Sequence, residues 1–165
     1  MNIVTPNWTT RRDRPAPGSF FALWVGKRLI YGFTTEPRQP HQPPGWLALH
    51  DPENSGFRGQ HRDRLESQNM TMQLTDVEIR FAEPDLRYGE DDQVPSGALV
   101  LAESAPHFLV KKGDGVEFAV ELATGAIGGS DLWRSFGLPR WQLVRRTREG
   151  TVVTVFEFDG RPTNG

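Results

Sequence analysis

Residues 49–67, LHDPENSGFRGQHRDRLES, gather His50, Asp51, His61, Asp63 and Glu66 in one short run. Imidazole and carboxylate side chains are the ligands of zinc, iron and manganese, and the same groups carry protons in acid–base catalysis. His61 and Asp63, two residues apart, would share one face of a strand. A metal set of His50, His61, Asp63 and Glu66 is therefore the alternative to weigh. Against it stand Arg58, Arg62 and Arg64, whose guanidiniums place positive charge where a cation would sit. Nearby like charge disfavours a further cation. The run is expected to be a solvated, self-paired loop.

Other chemistry is sparse. Glu90, Asp91 and Asp92 in GEDDQ are adjacent acids in a polar stretch, without the spacing of a calcium loop. Paired hydrolytic carboxylates must face each other across a cleft, ~5–10 Å apart, which adjacency does not provide. There is no Gly-x-Ser-x-Gly elbow, and TGAIGGSD (124–131) has neither the spacing nor the lysine of a phosphate-binding loop. The chain has no cysteine, which excludes disulfides, thiolate catalysis and cysteine-ligated metal. No cofactor is expected.

Charge is more informative than motif. Residues 1–69 carry a net +3, residues 70–132 a net −8 and residues 133–165 a net +3, within an overall −2. The acidic middle would repel phosphates, so a nucleic-acid partner spread over the whole surface is not expected. Trp8 and Trp46 each sit in a polar, Pro-rich setting. A tryptophan there is either a plug packed back on the domain or an anchor for a partner. Arg140, Arg145, Arg146 and Arg148 form a basic run. The candidate partner-binding residues are Trp8, Trp46, Glu90, Asp91, Asp92, Arg145 and Arg146.

The elements that must position these groups read as β. With 17 Gly and 13 Pro and a 36% apolar content, 165 residues suit one domain of strands joined by long loops. Residues 1–18 are expected to be an extended arm, 19–158 a single β domain with a Pro-rich loop at 36–69, and 159–165 a tail. FFALWVGKRLIYGFTT (20–35) has the pattern of a hairpin around Gly26-Lys27-Arg28, and GWLAL (45–49) that of a short strand. MQLTDVEIRFA (72–82) switches its apolar parity, which suggests one strand with a bulge near Thr75-Asp76 and places Val77, Ile79 and Phe81 on one face. ALVLAE (98–103) suits a strand buried on both faces. In HFLVKKGDGVEFAVEL (107–122) Val116, Phe118, Val120 and Leu122 alternate with Glu117, Ala119 and Glu121, predicting a hairpin with one wet face. GGSDLWRSFGLP (128–139) has helix punctuation: Ser130 as N-cap, Gly137 as stop and Pro139 beyond, so a short helix is expected over 131–136. WQLVRRTREGTVVTVFEF (141–158) closes with a hairpin about Arg148-Glu149-Gly150.

The fold class that follows is all-β: an antiparallel barrel or two-sheet sandwich of about seven or eight strands with one short helix. The N-terminus lacks an apolar leader-like core and no run is long enough to span a bilayer, so a cytoplasmic protein without membrane association is expected, virion-associated if it belongs to a phage. The leading functional expectation is a non-enzymatic module for protein–protein association or self-association, as a structural subunit of a virion-like or secretion-type assembly. The alternative is a small-molecule-binding barrel or cupin-like metal-dependent enzyme built on His50, His61, Asp63 and Glu66. A third is an immunity or inhibitor protein with an acidic binding face.

Overall fold

The structure, a computed structural model, describes residues 8–9, 14–54, 58–65, 70–82, 87–88, 94–101, 105–112, 115–128 and 136–160. Among them it is all β, with fifteen strands in three antiparallel sheets and no helix. The first sheet runs, in spatial order, β1 (Trp8–Thr9), β6 (Met70–Gln73), β2 (Phe20–Val25), β3 (Arg28–Thr35), β4 (Gly45–His50) and β5 (His61–Arg62). The second runs β12 (Ile127–Gly128), β11 (Gly115–Glu121), β10 (Pro106–Lys112), β9 (Leu99–Leu101), β13 (Phe136–Leu138) and β8 (Arg87–Tyr88). The third is β15 (Val152–Asp159), β14 (Arg140–Arg146) and β7 (Val77–Arg80). No sheet closes into a barrel among the described residues. The strand count exceeds the expected seven or eight because the loops contribute two- and three-residue pairings, β5 in the Pro-rich segment among them.

The hairpins form where alternation and turn chemistry agree. Val25 pairs with Arg28 across a two-residue turn whose Gly26 has φ +61, a conformation costly for any residue with a Cβ. FFALWV is a continuous apolar run because both faces of the first sheet are covered. Phe20, Ala22, Phe33, Leu47 and Leu49 enter the main core, while Phe21, Leu23, Ile30, Trp46 and Ala48 pack with Leu65 on the other face. The main core draws on all three sheets and is rich in rings: Phe33 to Phe108 at 5.1 Å, Phe108 to Trp141 at 5.4 Å and Trp141 to Phe158 at 5.3 Å between centroids. Aromatic pairs at such separations contribute about 0.5–1.5 kcal/mol each beyond the area they bury.

One expected element differs, and a second lies mostly outside the described residues. MQLTDVEIRFA is not one bulged strand: β6 belongs to the first sheet and β7 to the third, with Asp76 at φ +56 between them. The parity switch marks a change of sheet, and aspartate tolerates the left-handed corner better than most residues. The expected helix at 131–136 has residues 131–135 outside the described residues, and Phe136 already begins β13, paired with Leu101 and Tyr88. Gly137 is a strand residue rather than a helix stop. A Cβ there would lie 2.6 Å from Val94, so glycine serves close packing. Part of the expected arm is anchored: Trp8 pairs with Met72, Pro15 is buried, and the Ala16 carbonyl accepts the Thr34 hydroxyl. The tail residues 161–165 lie outside the described residues.

Candidate functional site

The fold disperses the residues of the 49–67 run. His61 pairs with Leu47 across β4 and β5, whereas His50 lies three residues further along β4, ~10 Å away at strand rise. Glu66 lies outside the described residues, and among those residues no group of three or more His, Asp and Glu side chains is arranged to hold a metal. His50 stacks on Phe156 at 5.6 Å and 20° between rings, beside Tyr31. Burial, then Arg58, lower its pKa against the pull of Asp51. Asp51 is buried, accepting the Glu53 amide at 3.0 Å and the Arg28 guanidinium at 3.3 Å, so its carboxylate holds a turn in place. Arg58 donates to the Asp159 carbonyl. The expected solvated loop is thus more deeply docked than its composition suggests.

Of the expected partners of His61 that the structure describes, Asp63 lies near it, with Nδ1 3.8 Å from Oδ1, while the His61 Nε2 lies 3.0 Å from Thr35 Oγ1. This is the connectivity of a hydroxyl–imidazole–carboxylate relay, but the burial is inverted. A nucleophile must meet its substrate, and Thr35 is fully buried, whereas the Asp63 carboxylate is 74% exposed. The arrangement is a packing node, not an acyl-transfer site. Addition of zinc, manganese or nickel should leave the melting temperature unchanged, because a metal held by the native state would raise it by mass action. Near-equimolar bound metal that disappears in His61→Ala would reverse this reading.

Of the candidate partner residues, Glu90, Asp91 and Asp92 lie outside the described residues, and the Trp8 side chain is likewise not described. Trp46 is 6% exposed, packs edge-on against Phe21 at 5.6 Å and donates its indole N–H to the Arg64 carbonyl at 3.2 Å. It is the plug and not the anchor, because β4 turns it into the second apolar face. Arg145 stands opposite Val77 and Val153, and Arg146 is exposed with its guanidinium 3.8 Å from Glu78. The charge blocks meet inside one subunit among the described residues, as in Arg38 with Glu117 at 2.6 Å and Arg146 with Glu78 at 3.8 Å.

An accessible convergence of aromatic and charged groups appears at the end of β7. Arg80, Phe81, Ala82, Arg140, Trp141 and Gln142 line an open cleft of about 320 Å³. Arg80 opposes Gln142 in the ladder, which brings the ends of β7 and β14 together. Arg140 Nε and Gln142 Nε2 donate to the two oxygens of Glu157 at 2.7 and 3.1 Å, holding that carboxyl below the usual carboxylate range. Arg80 is paired with Glu78 at 2.6 Å. The guanidiniums are therefore fixed by carboxylates and still have donors to offer. Phe81 is 44% exposed. Its parity with Val77 and Ile79 pointed inward, but β7 ends at Arg80 and the ring stays at the rim. The available signal was Pro84, three residues on in the sequence, since proline is disfavoured within a strand. Among the described residues no helix is long and apolar enough to cross a membrane. Comparison of the chain with protein-family models, with curated proteins and with solved structures finds no match to any of them.

Proposed function

We propose that this chain is a non-catalytic, sandwich-like β module that works by protein–protein association, as a subunit of a larger assembly, and that the cleft at the end of β7 is its contact site. The observation that carries this reading is Phe81, a large apolar ring left half in water in a cleft that Arg80 and Arg140 also line. Aromatic and arginine side chains are enriched at interface centres, where a few of them supply most of the binding energy. The open shape of the cleft suits a protruding side chain of a partner better than an enclosed small molecule. Among the described residues β7 pairs on one side only, with β14, so its other edge offers backbone groups to an added strand. The partner we assign is a second copy of the chain, whose acidic run Glu90-Asp91-Asp92 would complement the arginines of the cleft.

Sedimentation velocity at tens of micromolar protein tests this. Association is expected at ~0.1 M salt and dissociation towards 1 M, as the screening length falls from ~10 to ~3 Å. Phe81→Ser should weaken self-association by about tenfold or more without lowering the melting temperature. Reversal of Glu90, Asp91 and Asp92 to Lys should do the same through charge. A monomer at every salt concentration overturns self-association through this cleft.

A further inference from the structure

His61 belongs to a different part of the molecule and is built into a junction. It lies on β5, whose two residues tie the Pro-rich segment to β4 through the pairs Trp46–Arg62 and Leu47–His61. Its side chain is 4% exposed and enters the seam between the first and second sheets, edge-on to Phe118 at 5.1 Å and 88°. The space is cut to the ring: a Cβ on Gly45 would lie 2.8 Å from Nε2. Among the described residues, the charged groups that act on the ring are Asp63, Arg38 and Glu117. Asp63 on its own segment is 3.8 Å from Nδ1 and largely in water. Arg38, from the turn after β3, lies 4.4 Å over the Phe118 ring, pairs with Glu117 of β11 at 2.6 Å and stands 3.9 Å from Asp63. The His61 Nε2 lies 3.0 Å from the buried hydroxyl of Thr35. A neutral imidazole fits this setting. An imidazolium would share the seam with the Arg38 cation, while Glu117 is engaged by that arginine and Asp63 is screened by water.

We infer that His61 is an acid-sensitive clasp: its protonation releases β5 and the adjoining residues 58–65 from the seam between the first two sheets, while the rest of the fold stays closed. The contacts that would open are the Gly59 amide to the Ala48 carbonyl, the Ala48 amide to the Gln60 carbonyl and the Trp46 indole to the Arg64 carbonyl. Burial first, then Arg38, lower the His61 pKa from 6.5 to about 4, against the opposing pull of Asp63 and Glu117. The released ring binds a proton more readily than the docked one. The docked state therefore has its full stability above about pH 6.5 and loses it as the pH falls towards 4. The difference between the two values amounts to a bias of about 300-fold towards release at the acid end. Local opening on this scale needs no global unfolding.

Hydrogen exchange of the full chain at pH 5.0 and 7.5, corrected for the intrinsic rate, tests the clasp. Protection of residues 58–65 and of the Ala48 amide should fall at pH 5.0 by at least tenfold more than that of β10 and β14. His61→Phe should hold that protection constant between the two pH values, and His50→Gln should retain the wild-type acid response. Should His61→Phe fail to fold, the wild-type imidazole titration followed by NMR decides: a midpoint well below 6 supports the clasp, and one near 6.5 overturns it. Equal loss of protection across the whole chain, or an unchanged acid response in folded His61→Phe, overturns it as well.

Discussion

Gly59→Ala is expected to destabilise the chain by roughly 4–6 kcal/mol, enough to leave many domains of this size mostly unfolded at room temperature. Gly59 has φ +72, where a Cβ costs about 1–2 kcal/mol. Space is the larger obstacle, because that Cβ would lie 2.2 Å from the Ser96 carbonyl oxygen and 2.4 Å from its carbon. Both clashing atoms are backbone, so no rotamer change can relieve them, and overpacking of this kind costs about 1–3 kcal/mol. Displacing residue 59 also breaks bonds on both sides of the seam. Its amide donates to Ala48 at 2.7 Å, and its carbonyl accepts the Ser96 hydroxyl at 2.6 Å, the same hydroxyl that accepts the Lys111 amide at 2.9 Å. Each such bond contributes about 0.5–1.5 kcal/mol, with more lost where a buried group is left unpaired. Gly26→Ala is the internal control. It shares a positive φ of +61 but has nothing within 4 Å of the added methyl, so only the backbone cost of about 1–2 kcal/mol should appear. Urea unfolding of the two variants measures the difference. Equal midpoints would show that the Pro-rich segment is not docked against Ser96.

That docking explains why the 36–69 segment defied its composition. Proline density and charge describe a solvated loop, and local chemistry is all that such a reading can use. Phe118, Val120 and Glu117 were legible because alternation within one strand reports on which side is core. But Ala119, on the side of Glu117 and expected to be wet, is buried at 1%, so that face of β11 is covered at its middle. The double burial of FFALWV was legible in part, as an apolar run without a polar side. Whether Trp46 is plug or anchor depends on Leu65 and Arg64 arriving over it, which is a property of distant chain. The same limit applies to Thr75-Asp76, where a bulge and a change of sheet leave one sequence signature. It applies also to Gly137, whose partner Val94 lies forty-three residues earlier in the chain. Phe81 is the reverse case: a regular alternation continues past the point where its sheet ends, so the pattern buried a ring that the fold exposes.

Phe118→Ala should cost about 3–5 kcal/mol, the usual range for truncating a buried phenylalanine. The ring lies in the main core opposite Val110, with His61 at its edge and the Arg38 guanidinium over its face. Its removal therefore takes away packing, an aromatic contact and a cation–π contact of about 0.5–1 kcal/mol. Glu117→Ala and Glu121→Ala, on the opposite side of β11, should cost about 1 kcal/mol or less. Glu117 loses its surface pair with Arg38, and Glu121 loses its bond from the Thr124 hydroxyl at 2.5 Å. A reversed order, with the glutamates costly and Phe118 tolerated, would mean that β11 is out of register by one residue. A second readout separates loss of core from loss of the seam. With Phe118 gone, water reaches the His61 ring and the burial that depresses its pKa is relieved, so the imidazole should titrate closer to its ordinary value than in wild type. Phe118→Leu, which keeps most of the volume, should cost less than Phe118→Ala and leave the His61 titration nearer to wild type. If truncation destabilises the chain but the His61 midpoint does not move, the ring supports the core without walling the seam, and the acid response must be sought among the charges around Arg38 instead.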